Sequence, residues 1–204
     1  VINLSAELLQ GSGQQGPRGL VRDNVGRICS EVTRMSMMIE DLLRLATYAS
    51  GFMQVETVDI SQTAEDIVAK LRQNEPERQI DIHIQPDMTA KGDTGLLKIA
   101  LENLLSNAWK YTGKQDKARI DFRKGINQRG MLEFRLADNG AGFDMGQAAR
   151  LFLPFNRLHD KADFKGTGVG LATVHRILRK HGGNIRAESA PGMGATFIFT
   201  LPQL

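Results

Sequence analysis

The segment Leu101-Glu102-Asn103-Leu104-Leu105-Ser106-Asn107-Ala108-Trp109-Lys110-Tyr111-Thr112 carries two patterns at once. Its apolar residues continue a face that begins upstream, with Leu96, Leu97, Ala100, Leu101, Leu104, Leu105 and Ala108 at helical spacing. Asp93 is placed to cap the N-terminus, so the periodicity predicts a helix from Asp93 to Tyr111. Asn103, Asn107 and Lys110 are spaced four and three apart and share a second face. A carboxamide oxygen suits a hard metal ion and a lysine suits phosphate. Taken alone, a solvated polar stripe is the simpler account of the same three residues.

Downstream of this helix, two further segments invite a chemical reading. Ala137-Asp138-Asn139-Gly140-Ala141-Gly142-Phe143 follows a strand pattern. An aspartate there accepts a hydrogen bond from an exocyclic amine, and the glycines let backbone approach a ring; an ordinary β-turn is the competing account. Gly166-Thr167-Gly168-Val169-Gly170-Leu171 opens a helix, where bare N–H groups and the positive end of the helix dipole favour phosphate. Glycine is in excess, 21 in the chain against roughly 14 at average usage. Ten of them fall between Gly140 and Gly194, grouped between well-patterned segments rather than scattered.

The remaining pattern is mixed. Val55 to Val58, Ile80 to Ile84, Ile120 with Phe122, Leu132 with Phe134 and Leu136, Ile185 to Glu188 and Ala195 to Leu201 alternate as strands. Gly125 to Gly130 and Pro191 to Gly194 read as hairpin connections. Ser61 to Leu71 reads as a helix capped by Ser61, and Val169 to Lys180 as a helix closed by Gly182-Gly183. The strand–glycine turn–helix opening of a dinucleotide fold is absent, as is G-x-x-x-x-G-K-[ST].

Upstream, Val25, Ile28, Val32, Met35, Ile39, Leu42, Ala46 and Ala49 alternate at three- and four-residue spacing, an a/d seam. A helix over residues 21–50 would be ~45 Å long and apolar along one stripe. Ile2 to Leu9 is also helical in composition, and Gly11 to Pro17 would turn it back antiparallel. The hairpin is expected to pair with a second copy as a four-helix bundle; packing on its own downstream domain is the alternative.

Composition bounds the rest. The chain has 204 residues, 41% hydrophobic and 24% charged, ordinary for a folded soluble protein and against wholesale disorder. Net charge is +3 with no Lys/Arg block, which makes nucleic acid a weak lead, and no nucleic-acid partner is expected. Cys29 is the single cysteine, so no internal disulfide forms and a reducing, cytoplasmic setting is expected. No apolar run approaches the ~18 residues of a membrane span. The chain opens at Val1 inside an apolar pattern and reads as a piece of a longer protein.

The order N-x-x-x-N-x-x-K-Y, D-x-G-x-G, P-F, G-T-G-x-G-L and G-x-G-x-x-F resembles the ATP-binding domain of two-component sensor histidine kinases, within the gyrase, Hsp90 and MutL superfamily. The resemblance spans residues 54–202. Leu151 to His159, Phe164 to Gly168, Lys180 to Ile185 and Ala187 to Ser189 look most like phytochrome-type kinases. Ile39 to Ala46 is similar to the second helix of the kinases' dimerisation and histidine-phosphotransfer domain. The fold implied is α+β: a two-layer α/β sandwich of Bergerat type over residues 53–204, preceded over residues 1–52 by a helical hairpin, its first helix truncated, that forms a dimeric four-helix bundle.

The resemblance also implies roles. Asn107 would ligate Mg²⁺, Lys110 would touch phosphate, and Tyr111 would cover adenine or ribose. Asp138 would take the adenine amine, Gly140 and Gly142 would keep the pocket open, and Thr196 would support the adenine side. Gly166, Thr167, Gly168, Gly170 and Leu171 would run along the phosphates. Asn156 to Lys165 would be a mobile lid anchored by Phe152 and Phe155, with Arg157 and Lys165 towards the γ-phosphate; plain surface charge is the alternative for those two. His159 and His181 are expected to be non-catalytic. Asn103 stands where hydrolysing relatives carry a glutamate, and an amide cannot act as a general base, so ATP would be positioned for transfer rather than hydrolysed quickly.

The phosphoacceptor motif of the family, a histidine followed by Asp/Glu and later Pro, is absent. All four histidines, His83, His159, His175 and His181, lie in the ATP-binding half. The resemblance implies the catalytic core of a histidine kinase that uses ATP and Mg²⁺, dimerises through its hairpin, passes phosphate to a response-regulator receiver domain, and does not autophosphorylate as this chain. The alternatives are a degenerate kinase serving as an ATP-binding or receiver-binding scaffold, and a hydrolysing ATPase, which Asn103 disfavours.

Overall fold

A computed structural model describes residues 24–26, 28–29, 32, 35–36 and 39, then 52–158 and 166–203. The chain divides into two compact units, Val1–Arg44 and Leu45–Leu204. In the first, the described residues are helical, and the seam residues Val25, Val32, Met35 and Ile39 are each about half exposed. The first hairpin helix, the Gly11–Pro17 turn, and Leu42, Ala46 and Ala49 lie outside the described residues.

The second unit is a two-layer α+β arrangement. In chain order it comprises β1 (Glu56–Asp59), α1 (Ile60–Asn74), β2 (Ile80–Ile84), β3 (Thr89–Gly92), α2 (Thr94–Tyr111), β4 (Ala118–Ile126), β5 (Leu132–Asp138), a 3₁₀ turn (Met145–Arg150), α3 (Gly170–Lys180), β6 (Asn184–Ser189) and β7 (Ala195–Leu201). Five strands form one sheet in the order β2-β4-β5-β7-β6, with β2 parallel to β4 and the other pairs antiparallel. β1 and β3 form a separate antiparallel pair.

Period-two alternation divides the large sheet into a face towards the helices and a face away from them. Ile120, Phe122, Phe134, Leu136, Phe197 and Phe199 belong to the same buried core as Leu97, Leu101, Leu104, Leu105, Val174 and Ile177 of the helices. Phe134 stacks on Phe199 with ring centroids 4.9 Å apart, and Phe122 lies 6.3 Å from both. Emptying such a site costs about 3–5 kcal/mol. The opposite face carries ion pairs, among them Arg123–Asp121, Arg135–Glu133 and Arg186–Glu133. Ile198 is buried on that face, in register with Arg135 and Arg186, whose aliphatic stems suit such a cover.

One of the two capped helix starts differs from expectation. α1 is capped by Asp59, whose Oδ1 accepts from Gln62 N at 2.9 Å, and not by Ser61. Ser61 is buried inside the first turn, where its Oγ donates to Gln85 O at 2.7 Å and accepts from Met88 N at 2.9 Å. α2 begins as predicted, with Asp93 Oδ1 accepting from Leu96 N at 3.0 Å.

Candidate functional site

The polar stripe of α2 faces a cavity of about 280 Å³ inside the second unit, walled by α2, the end of β5, the start of β7 and the loop into α3. Asn103, Ser106, Asn107, Lys110 and Tyr111 line it from one side and Gly166, Thr167, Gly168, Gly170 and Leu171 from another. Asp138, Gly142, Asn156 and Arg157 complete the expected set that the structure brings here.

Asp138 ends β5 on the cavity side. Its Oδ1 accepts from Gly140 N at 2.8 Å, yet burial outweighs the hydrogen bonds and pushes its carboxyl up to about 6. The loop that follows is laced to its surroundings. Gly142 adopts a φ of +60° against the Ala190 carbonyl, where no side chain fits. Phe143 N donates to Ser189 Oγ at 2.9 Å, Ser189 Oγ donates to Gly194 O at 2.6 Å, and Gly192 N donates to Ala141 O at 2.7 Å. Gly140 does not line the cavity; it lies behind it, where Ala141 N donates to Tyr111 O at 3.1 Å and ties Asp138 to the end of α2.

At the other side two cations converge. Lys110 Nζ donates to Asn107 Oδ1 at 3.3 Å and lies 4.2 Å from the Tyr111 ring centroid. Burial first and the Arg157 charge second lower its ammonium to about 8. Arg157 Nη1 donates to Gly166 O at 3.0 Å. Burial also raises the Tyr111 phenol. A desolvated lysine beside a second cation and a glycine loop is a place where an anion is stabilising. Asn103 Nδ2 donates to Ile99 O at 2.8 Å, which turns its Oδ1 towards Gly170.

These features fit an adenine nucleotide. A half-buried carboxylate suits an amine-bearing ring, and the cations and bare backbone suit phosphates. Among the described residues no group of three His, Cys, Asp or Glu could hold a metal ion. Magnesium is commonly held by one or two carboxylates together with phosphate oxygens and water, and here the Asn107 carboxamide oxygen would stand in for a carboxylate.

Some expected residues are elsewhere. Thr196 does not reach the cavity: strand alternation turns Ala195 and Phe197 inward and Thr196 to the opposite face of β7, in register with Glu188. Phe155 is exposed and outside the cavity; its contribution is a backbone one, with φ at +63° and its N donating to Gly168 O at 3.0 Å. Phe152 packs on His175 at 5.8 Å between centroids. Lys165 and His159, with the rest of residues 159–165 of the expected lid, lie outside the described residues. Sequence reasoning missed Ser106, Phe143, Leu151, Ala195 and Phe197 as lining residues, while Leu158 falls in the expected lid stretch. For Ser106 and for Ala195 with Phe197 the signal was helix and strand parity; for the others no sequence pattern announced the role.

A family profile described as "Histidine kinase-, DNA gyrase B-, and HSP90-like ATPase" matches residues 92–204. The chain is 32% identical over 182 residues to the phytochrome-like protein Cph1 of Synechocystis sp., covering 89% of this chain and 24% of that protein. It is 30% identical to the adaptive-response sensory kinase SasA of Thermosynechococcus vestitus, covering 98% of this chain and 53% of that protein. Among solved structures, the mycobacterial sensor histidine kinase MprB superposes with a TM-score of 0.60 at 26% identity, over 72% of this chain and 97% of that one. Full-length ShkA in complex with AMPPNP gives 0.69 at 25% identity, over 99% of this chain and 42% of that one. The chain thus spans about a quarter to a half of the length of these two curated relatives.

Proposed function

Since the chain belongs to the histidine kinase-, DNA gyrase B- and HSP90-like ATPase family, and carries the ATP-binding domain of a two-component sensor histidine kinase, we propose that it is a catalytic core that binds Mg-ATP in the α2–α3 cavity and delivers the γ-phosphate to a histidine of a helical bundle, from which a response-regulator receiver domain takes it. The observation that carries this reading is the division of the cavity, with the half-buried Asp138 carboxyl in one part and the half-buried Lys110 ammonium, next to Arg157 and the glycine loop, in another.

Asp138 would accept the adenine amine, and the apolar Phe143, Leu151 and Phe197 would exclude water around the ring. Lys110 and Arg157 would hold and neutralise phosphate oxygens. Asn107 would hold Mg²⁺, which when bound supplies charge neutralisation on the phosphates. Asn103 supplies an amide and no general base, which suits transfer to a protein side chain over hydrolysis. Residues 1–52 would form the dimerising hairpin, supported by the half-exposed seam at Val25, Val32, Met35 and Ile39, and residues 53–204 the ATP-binding domain. Among the described residues, no helix is long and apolar enough to cross a membrane.

The test supplies labelled ATP to the chain alone and to the chain mixed with a histidine-bearing bundle polypeptide from a relative. Acid-labile phosphohistidine on the supplied bundle, abolished by Asn107→Ala in this chain, is the expected result. Measurable Mg-ATP binding with no transfer would favour the scaffold reading, and label on this chain's own histidines would contradict their assignment as non-acceptors.

A further inference from the structure

His181 is a buried polar residue, 8% exposed, at the C-terminal cap of α3. Both ring nitrogens are engaged. The Asp93 backbone N–H donates to Nε2 at 3.0 Å, so Nε2 presents a lone pair. Nδ1 lies 2.8 Å from Ile177 O, which only accepts, so Nδ1 carries the proton. One neutral tautomer satisfies both contacts. The ring is also wedged against Gly92, where an added Cβ would come 2.8 Å from His181 Cδ2 and 2.6 Å from Leu97 Cδ1.

The position of this bond gives it leverage. α2 and α3 pack against each other, with the end of α3 at the start of α2 and Gly170 at the other end facing Asn103. α2 carries Asn103, Asn107 and Lys110, and α3 begins at the glycine loop. His181 and Asp93 therefore fix the spacing of two cavity walls from outside the cavity.

We propose that His181 is a positioning residue for the nucleotide cavity: in its neutral, Nδ1-protonated form it fastens the start of α2 to the end of α3, and its protonation releases that fastening and weakens nucleotide binding. This role rests on the cavity binding ATP. An imidazolium offers N–H at both nitrogens and cannot accept from Asp93 N. Of the charged groups on the elements around the ring, the Asp93 carboxylate is in electrostatic contact with it; Lys91 of β3 and Arg179 of α3 are exposed, and Lys180 is half-buried. The Asp93 oxygens already accept from Leu96 N at 3.0 Å and Gln54 N at 3.2 Å. A protonated ring is drawn towards that carboxylate and off the N–H it accepts from, which redirects the contact rather than preserving it.

The test compares the unmodified chain with His181→Gln, whose side-chain oxygen accepts from Asp93 N without titrating. Mg-ATP affinity is measured by calorimetry at pH 8 and pH 5.5. Asp138 and Lys110 titrate in both proteins, so the ratio of the two losses isolates His181. The unmodified chain is expected to lose at least about threefold more affinity than His181→Gln on acidification; equal losses overturn the proposal. A second measurement needs neither variant nor nucleotide. Histidine-ring and backbone NMR of the unmodified chain should show an Nδ1–H tautomer at pH 8, and amide shifts at Asp93 and Gly170 that share the midpoint of the His181 ring. An Nε2–H tautomer, or a Gly170 amide that does not follow the ring, overturns it. Failure of the unmodified chain to bind Mg-ATP at pH 8 refutes the ATP reading instead, while the NMR titration still decides whether His181 fastens the helices.

Discussion

Gly170, the first residue of α3, lies so close to α2 that a Cβ there would come 2.5 Å from Asn103 Oδ1. Asn103 has little room to yield, because its Nδ2 is held by Ile99 O at 2.8 Å. Two walls of the cavity are therefore in contact at this point, and the contact requires glycine on one side and a short amide on the other.

Gly170→Ala separates binding from folding. Alanine is favoured over glycine by up to about 1 kcal/mol in a helix interior and by less at this first position, which offsets a small part of the strain. Thermal unfolding of the variant is expected to stay close to that of the unmodified chain. Mg-ATP affinity is expected to fall about tenfold or more as Asn103 and the glycine loop are displaced. Calorimetry showing unchanged affinity would mean that the walls adjust freely.

In the proposed function, Asp138 is expected to couple nucleotide selection to stability. Burial lifts its carboxyl to about 6, above the ordinary carboxylate value. Below about pH 4 it is protonated whether folded or unfolded. As pH rises through 6 the folded state must ionise it in a desolvated place, so the free protein loses up to about 3 kcal/mol from this group. Asp138→Asn removes that cost, and its unfolding temperature at pH 7.5 is expected to equal or exceed that of the unmodified chain. The same change leaves the ring amine without its acceptor, weakening ATP by about 1–3 kcal/mol and narrowing discrimination against GTP. In the unmodified chain ATP affinity should fall as pH drops below 6. Parallel ATP and GTP titrations of the two proteins between pH 5 and 8 check all three.

Much of this site was legible because helix and strand periods are strong local signals. The face shared by Asn103, Asn107 and Lys110 follows from 3.6-residue geometry, and the cap at Asp93 from its side chain. The resemblance alone assigns Thr196 to the cavity; strand parity, a period of two, turns Ala195 and Phe197 there and Thr196 to the opposite face. β3 and the 3₁₀ turn at Met145–Arg150 went unseen, being short and, in Thr89–Gly92, held by pairing with β1 rather than by any apolar pattern of their own. A serine before an apolar run is usually a cap, which is what the sequence suggests for Ser61; tertiary bonds to Gln85 and Met88 claim its hydroxyl instead. The two bonds of His181 join residues far apart in sequence, and local pattern carries no sign of them.

The seam of the first unit is testable by itself. Met35 and Ile39 are 52% and 56% exposed within one chain, an uncovered apolar stripe that a second copy would bury. Sedimentation of the unmodified chain at tens of micromolar is expected to give a dimer, and Met35→Asp or Ile39→Asp to shift it towards monomer. Mg-ATP affinity should stay the same in both variants, since the cavity lies wholly in the second unit. A monomer before mutation would remove the dimer from the proposed function.

In the proposed function, Lys110 is expected to set the alkaline edge of binding. Its ammonium titrates at about 8, lowered by burial and then by Arg157, so the free site loses this cation as pH rises past that value. Phosphate bound beside it favours the charged form and holds the proton, so binding near pH 8 takes up a fraction of a proton. Affinity should therefore fall with rising pH above 8, and calorimetry in buffers of different ionisation enthalpy should report the uptake directly. Lys110→Arg carries a charge that does not titrate in this range, and is expected to flatten the alkaline limb even if its longer, planar head binds less well. Lys110→Ala removes a charge-assisted contact worth about 1.5–3 kcal/mol and should weaken ATP at every pH, with no limb left to see. An alkaline limb that survives in Lys110→Ala would assign the proton to another group, and the anion-binding role of Lys110 would fall with it.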